Sequence, residues 1–158
     1  MRTDGLFLGD MFRDRYVGVS DPAAGANLSY AVPAQYRVQL LAMKLTLTTS
    51  ATVANRTLQV LFSVHLSSAA ATTFYVALSQ VAQPASLAWT YYLAPGNPDD
   101  TAAVDLRLRQ RLPYPLEMWG DTSANVGWKI TTDVDAMAAG DQISDVVFHF
   151  RQSVQRSV

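Results

Sequence analysis

Two histidines, twelve aspartates and one glutamate are the residues of this 158-residue sequence from which acid–base or metal chemistry could be built. His65 and His149 are the candidate general bases, because imidazole exchanges a proton near neutral pH. Each lies in an alternating run: His65 shares parity with Gln59 and Ser63, and His149 with Val147 and Arg151, so both are expected on the outer face of a strand. A Ser-His-Asp site needs an organising element such as a Gly-x-Ser-x-Gly elbow, which the sequence lacks. A glycosidase needs two facing carboxylates, and Glu117, the single glutamate, would have to pair with an aspartate. Asp133, Asp135, Asp141 and Asp145 could offer oxygen ligands to calcium, but their spacing is not that of the twelve-residue calcium loop, and they read as turn residues. With no Gly-rich phosphate loop, dinucleotide fingerprint or metal-spaced histidine cluster, the expectation is no cofactor, no metal, no catalytic residues and no enzyme.

Binding chemistry is better represented. Trp89, Tyr91, Tyr92, Trp119 and Trp128 could form a sugar-stacking platform, but alternation turns Trp89, Tyr91 and Trp128 inward and leaves Tyr75, Tyr92 and Trp119 for a surface or an interface. Arg107, Arg109 and Arg111, at i, i+2 and i+4, project from one face of one strand, and the expected partners are aspartates of a neighbouring subunit. Leu6, Phe7, Leu8, Met11 and Phe12 are large apolar residues in a segment without strand or helix periodicity, so they must be buried on their own domain or on a neighbour.

The composition excludes several classes. Twelve Lys+Arg against thirteen Asp+Glu give a net charge of -1, with no field for collecting nucleic acid. The absence of cysteine removes disulfides, thiolate metal sites and cysteine nucleophiles. No apolar run approaches the roughly 20 residues of a membrane helix, and Met1-Arg2-Thr3-Asp4-Gly5 lacks the layout of a signal peptide, so neither a membrane partner nor secretion is expected. With 49% hydrophobic residues, the chain can bury a core as one domain.

The elements that must position these residues read as strands, since Glu and Lys are nearly absent while Thr, Val and aromatics fall in short alternating runs. From Gln35 to about Thr48, Tyr36, Val38 and Leu40 occupy one parity and Leu41, Met43, Leu45 and Leu47 the other, so the phase flips at Leu40-Leu41, as a bulge or a twist between layers requires, and a long bent strand shared by two sheets is expected. Leu58, Val60, Phe62, Val64 and Leu66 mark a central strand. Phe74, Val76 and Leu78 share a face, as do Leu87, Trp89, Tyr91 and Leu93. Ala94 to Asp100 is an exposed tip, and Val104, Leu106 and Leu108 alternate with Asp105, Arg107 and Arg109 as a further strand. Pro113 and Pro115 confine their segment to an edge or a kink before Glu117-Met118-Trp119, and Val126, Trp128, Ile130 and then Val146, Phe148, Phe150 form the last inward sets. The fold class is all-β: an antiparallel β-sandwich of jelly-roll type with about eight strands, spanning 35–151, after an extended N-terminal arm at 1–34 and before a flexible tail at 152–158.

Arg37-Val38-Gln39-Leu40, the run from Ala51 to Leu58, Leu112-Pro113 and the closing Gly140-Asp141-Gln142-Ile143-Ser144 together resemble small β-sandwich virion proteins of tailed bacteriophages, particularly capsid decoration (cement) proteins. The resemblance implies a non-enzymatic jelly roll, made in the host cytoplasm, that binds the outer surface of the phage head. It would act as a homo-oligomer, trimer or dimer, bridging copies of the major capsid protein. On that reading Leu6, Phe7, Leu8, Met11, Phe12, Arg107, Arg109 and Arg111 are interface residues, and deleting Met1 to Val19 weakens attachment without unfolding the sandwich. Another virion component (tail, neck or head-fibre/receptor-binding protein) and a carbohydrate-binding module are the alternatives.

Overall fold

The computed structural model describes residues 12–34, 36–65, 71–112, 116–120 and 126–154. Among them are ten strands and no helix: β1 (Arg13–Gly18), β2 (Ser29–Ala31), β3 (Tyr36–Thr48), β4 (Leu58–His65), β5 (Thr72–Leu78), β6 (Ala88–Pro95), β7 (Arg107–Leu112), β8 (Leu116–Trp119), β9 (Gly127–Val134) and β10 (Gln142–Val154). They form a six-stranded sheet, order β1-β10-β3-β6-β7 with β8 also on β3, and a four-stranded sheet, order β2-β9-β4-β5. The two pack as a β-sandwich. The chain crosses between layers at β1/β2, β2/β3, β3/β4, β5/β6, β8/β9 and β9/β10, so strands remote in sequence lie side by side, which is jelly-roll connectivity.

The long central strands carry the core. β3 buries Val38 and Leu40, then Met43, Leu45 and Leu47. The change of phase falls where the register against β10 slips, with Leu40 opposite Phe150 and Ala42 opposite His149, so of the two alternatives it is a bulge, with Leu41 the extra residue. β3 is not shared by two sheets, however. It stays in one sheet, and its far side is divided between β8, at Arg37 to Leu40, and β6, at Met43 to Thr48. β4 lies between β9 and β5 with Leu58, Val60, Phe62 and Val64 buried, and Val146, Phe148 and Phe150 of β10 face them from the other layer.

Several expectations are corrected. Residues 13–18 and 29–31 are not an arm: β1 pairs with β10, β2 pairs with β9, and Leu28 and Val32 are in the core. Glycines and charges obscured these short edge strands, and deleting Met1 to Val19 would remove β1 itself. The sandwich runs on through Val154 rather than ending at 151, and Leu6, Phe7, Leu8, Met11, Gln35, Leu66 and the 155–158 tail lie outside the described residues. The sheets are not wholly antiparallel, because β7 runs parallel to β6 after the 96–106 connection. Val104 and Leu106 are exposed and belong to a turn: Asp105 and Leu106 have φ of 49° and 61°, and Val104 and Arg107 exchange backbone hydrogen bonds of 3.0 and 2.9 Å. β5 is inverted relative to what alternation alone suggests. Ala77 is buried, Tyr75 packs on Phe62, and Phe74, Val76 and Leu78 are 62%, 40% and 42% exposed.

Gly120, just after β8, lets two backbones meet. Its N–H donates to the Tyr36 carbonyl at 3.0 Å, and a Cβ at this position would overlap the carbonyl of Pro33, a backbone group that cannot swing aside. Gly120→Ala is therefore expected to destabilise the fold by about 3 kcal/mol, near the top of the usual overpacking range, read as a lower urea midpoint with an unchanged slope.

Candidate functional site

A buried ion pair joins Arg56, from the loop before β4, to Asp141, from the turn before β10; both side chains are fully buried. The Asp141 carboxylate accepts five hydrogen bonds. Arg56 Nε donates at 2.9 Å, Arg56 Nη2 at 3.2 Å, the Ser50 N–H at 2.7 Å, the Ser50 hydroxyl at 2.8 Å and the Ala138 N–H at 2.7 Å. The guanidinium also donates to the carbonyls of Thr52 and Ala54, at 2.7 and 2.6 Å, and to Ser50 Oγ at 3.4 Å. Its five N–H groups are thus all engaged. Burial alone would push the Asp141 carboxyl up, but the N–H of Ala138, the guanidinium and both Ser50 donors outweigh it and hold the group well below the ordinary carboxylate range.

The network continues through the backbone. Arg56 and Gln83 exchange N–H···O bonds of 2.9 and 2.7 Å. Gln83 Nε2 donates to Leu47 O and Leu87 O, and its Oε1 accepts the Tyr91 hydroxyl at 3.0 Å. Burial pushes that hydroxyl's pKa up, keeping it a neutral donor. This cluster can do no chemistry on a substrate, because its donors and acceptors are spent on the chain. What it does is lash the 49–56 loop, the 79–87 connection and the 135–141 turn together at one end of the sandwich. Sequence reasoning placed Asp141 among solvated turn aspartates and gave Arg56 no role; its position two residues before the buried run from Leu58 was the available signal.

The candidate bases do not meet each other. His65 closes β4 in one sheet, and His149 lies on β10 in the other. His149 stacks on Tyr16 at 4.4 Å and sits 3.9 Å from Asp14, which is also bonded by Arg151 at 3.2 Å. Tyr16 and His149 border a shallow groove of about 450 Å³ across the outer face of β1, β10, β3 and β6. Tyr16, His149, Val147, Ala42, Lys44 and Tyr92 line it, and no serine, threonine or carboxylate is among the lining residues. The arrangement offers stacking surface and a cation rather than a nucleophile with its base. Among the described residues no three of His, Asp and Glu lie together as a metal site requires.

The predicted arginine ladder stands on β7, with Arg107, Arg109 and Arg111 exposed on one face. Of the three guanidinium groups, that of Arg109 has an aspartate partner within the chain. Asp100 pairs with Arg109 at 3.0 Å and accepts its backbone N–H at 2.6 Å, while Asp99 accepts the backbone N–H of Arg111 at 2.8 Å. The Arg109 contacts hold the Asp100 carboxyl below its ordinary range. The proline-rich tip therefore folds along the edge of β7 and occupies its outward donors, a closure that spacing alone could not reveal. Of the apolar residues placed in the arm, Phe12 is described and is 48% exposed. Trp89, Tyr91 and Trp128 are buried as alternation indicated, whereas Trp119 is 40% exposed and meets Trp128 edge-on at 5.5 Å.

No protein-family model matches the sequence, and no curated protein matches it. A solved structure of PfGH50B overlaps 92% of this chain at 14% identity with a TM-score of 0.30, and the chain spans 23% of that structure. An overlap of that quality bears on neither fold nor function, so both rest on the strand topology and the surfaces of the molecule itself.

Proposed function

We propose that this chain is a non-enzymatic structural protein of a tailed-phage virion, a decoration protein that adheres to the outer surface of the head as a symmetric oligomer. One observation carries the reading. The run from Ala51 to Leu58 and the Gly140–Ser144 segment, two of the phrases behind the resemblance to decoration proteins, meet in the Arg56–Asp141 network, which has no donor or acceptor left for a substrate. What these residues contribute is stiffness, and activity is left to the outer surfaces. A rigid sandwich with apolar and aromatic side chains on its outside suits adhesion, in which many modest contacts act together on a repeating lattice.

Immunogold labelling of the particles that carry the protein tests this directly, and gold over the head is the expected result. Label confined to tail, neck or fibre would replace decoration by one of the other virion roles. Deleting residues 1–11, which leaves β1 intact, is expected to keep the melting temperature within a few degrees while reducing head-bound protein in cosedimentation. Unchanged binding would remove the N-terminal residues from the interface. The groove beside Tyr16, Tyr92 and His149 favours the carbohydrate-binding alternative, and saturable retention on a glycan array, lost in Tyr92→Ala, would establish it.

A further inference from the structure

We infer that β5 is a self-association edge, pairing antiparallel with β5 of a second copy across a two-fold axis beside Ala77. The inference rests on the oligomeric reading above and assigns it a surface.

Free sheet edges present unpaired N–H and C=O groups, and stable folds blunt them with charge, brevity or cover. β1 carries exposed Arg13, Asp14 and Arg15. β2 has three residues and β8 four. β7 alternates exposed arginines, and Asp99 and Asp100 take up its outward N–H groups. β5 lacks charge, brevity and cover among the described residues, and its one bulge, at Phe74 where the register against β4 slips, leaves Tyr75 to Leu78 in regular pairing. Its seven residues, Thr72 to Leu78, include no charge and no proline, and among the described residues no strand pairs with its far side.

The backbone phase of that edge is fixed by its neighbour. Ser79 N–H donates to Leu58 O at 2.9 Å, so 79, 77 and 75 direct their backbone groups toward β4, and Val76 and Leu78 direct theirs to the open side. A two-fold axis beside Ala77 then opposes Val76 of each copy to Leu78 of the other, in two hydrogen-bonded pairs. The side chains of Val76 and Leu78 share the outer face with Leu61, which stands opposite Val76 on β4. The edge is thus self-complementary in both backbone and side chain, as an isologous contact requires. The match is short of the roughly 800 Å² per partner of a standard interface, so the pairing is expected to be concentration-dependent in solution and reinforced on a lattice.

Sedimentation equilibrium of the full chain from about 1 to 500 µM is the first test, with an expected rise from one chain of 17.3 kDa toward two. Val76→Lys and Leu78→Lys should each weaken association at least tenfold with an unchanged circular dichroism spectrum, while Tyr16→Lys on the opposite edge should not. The chain has no cysteine, so a V76C/L78C variant provides a covalent check. Hydrogen-bonded pairs sit about 5.5 Å apart at Cα, within disulfide reach, and mild oxidation should give a covalent dimer. A wild-type mass fixed at one chain throughout would overturn both this inference and the homo-oligomer. A trimer, or an oligomer indifferent to both lysine variants and without cross-linking, would overturn the β5 pairing alone. Should a lysine variant unfold, the cross-link decides.

Discussion

Replacing Arg56 by Met is expected to cost about 3–5 kcal/mol, the range for removing one partner of a buried ion pair and leaving the other charge uncompensated. The Asp141 carboxylate would keep its Ser50 and Ala138 donors but lose both guanidinium contacts, at 2.9 and 3.2 Å, in a site with no water access. The carbonyls of Thr52 and Ala54 would also lose their donor. Against the 5–15 kcal/mol typical of a whole domain this is a large fraction, and a fall in melting temperature of roughly 10 °C should report it. The pH dependence gives the loss a signature. The folded pKa of Asp141 lies below its unfolded value, so its contribution is fully present above the ordinary carboxylate range and is lost as pH falls toward the folded pKa. The gap between wild type and Arg56→Met should therefore narrow below about pH 4. A gap independent of pH would mean that lost packing, not lost charge pairing, accounts for the effect. The double replacement Arg56→Met with Asp141→Leu should recover part of the loss, because an apolar pair leaves no buried charge behind.

Phe148→Ala is the second large effect, at about 3–5 kcal/mol for an aromatic truncated in a packed interior. Phe148 has no exposed surface, packs on Tyr30 at 4.8 Å and Phe150 at 5.3 Å, and stands opposite Met43 on the neighbouring strand. Tyr30 belongs to β2, so the truncation would loosen a three-residue edge strand with few contacts of its own. Phe148→Leu retains most of the volume and should cost less than about 1.5 kcal/mol. Denaturant titration of the pair separates cavity from side-chain type, and equal losses for Ala and Leu would show that the aromatic stack rather than filled volume matters at this position.

The strands that could be read from the sequence are those whose two faces meet different solvents. β3, β4, β6, β9 and β10 alternate because one side meets the opposite sheet and the other meets water, and even the bulge at Leu41 shows as a change of parity. β1 and β2 gave no such signal. Arg13 to Gly18 is exposed along almost its whole length and is held as a strand by its hydrogen bonds to β10, 137 residues away at the Arg15–Gln152 contact. Leu106 carries an apolar side chain at the right parity for a strand, but its backbone turns with positive φ, a constraint local hydrophobicity does not record.

The amino-acid order by itself determined an all-β jelly roll with its central strands, the inward placement of Trp89, Tyr91 and Trp128, and the arginine row on β7. Only the tertiary structure decided which side of β5 faces water, that Asp99 and Asp100 fold back onto the β7 edge, and that Arg56 and Asp141, 85 positions apart, form one buried pair. The physical reason is range. Alternation is written between neighbours two residues apart, whereas burial of a charge or exposure of an apolar edge depends on which distant strand closes against it.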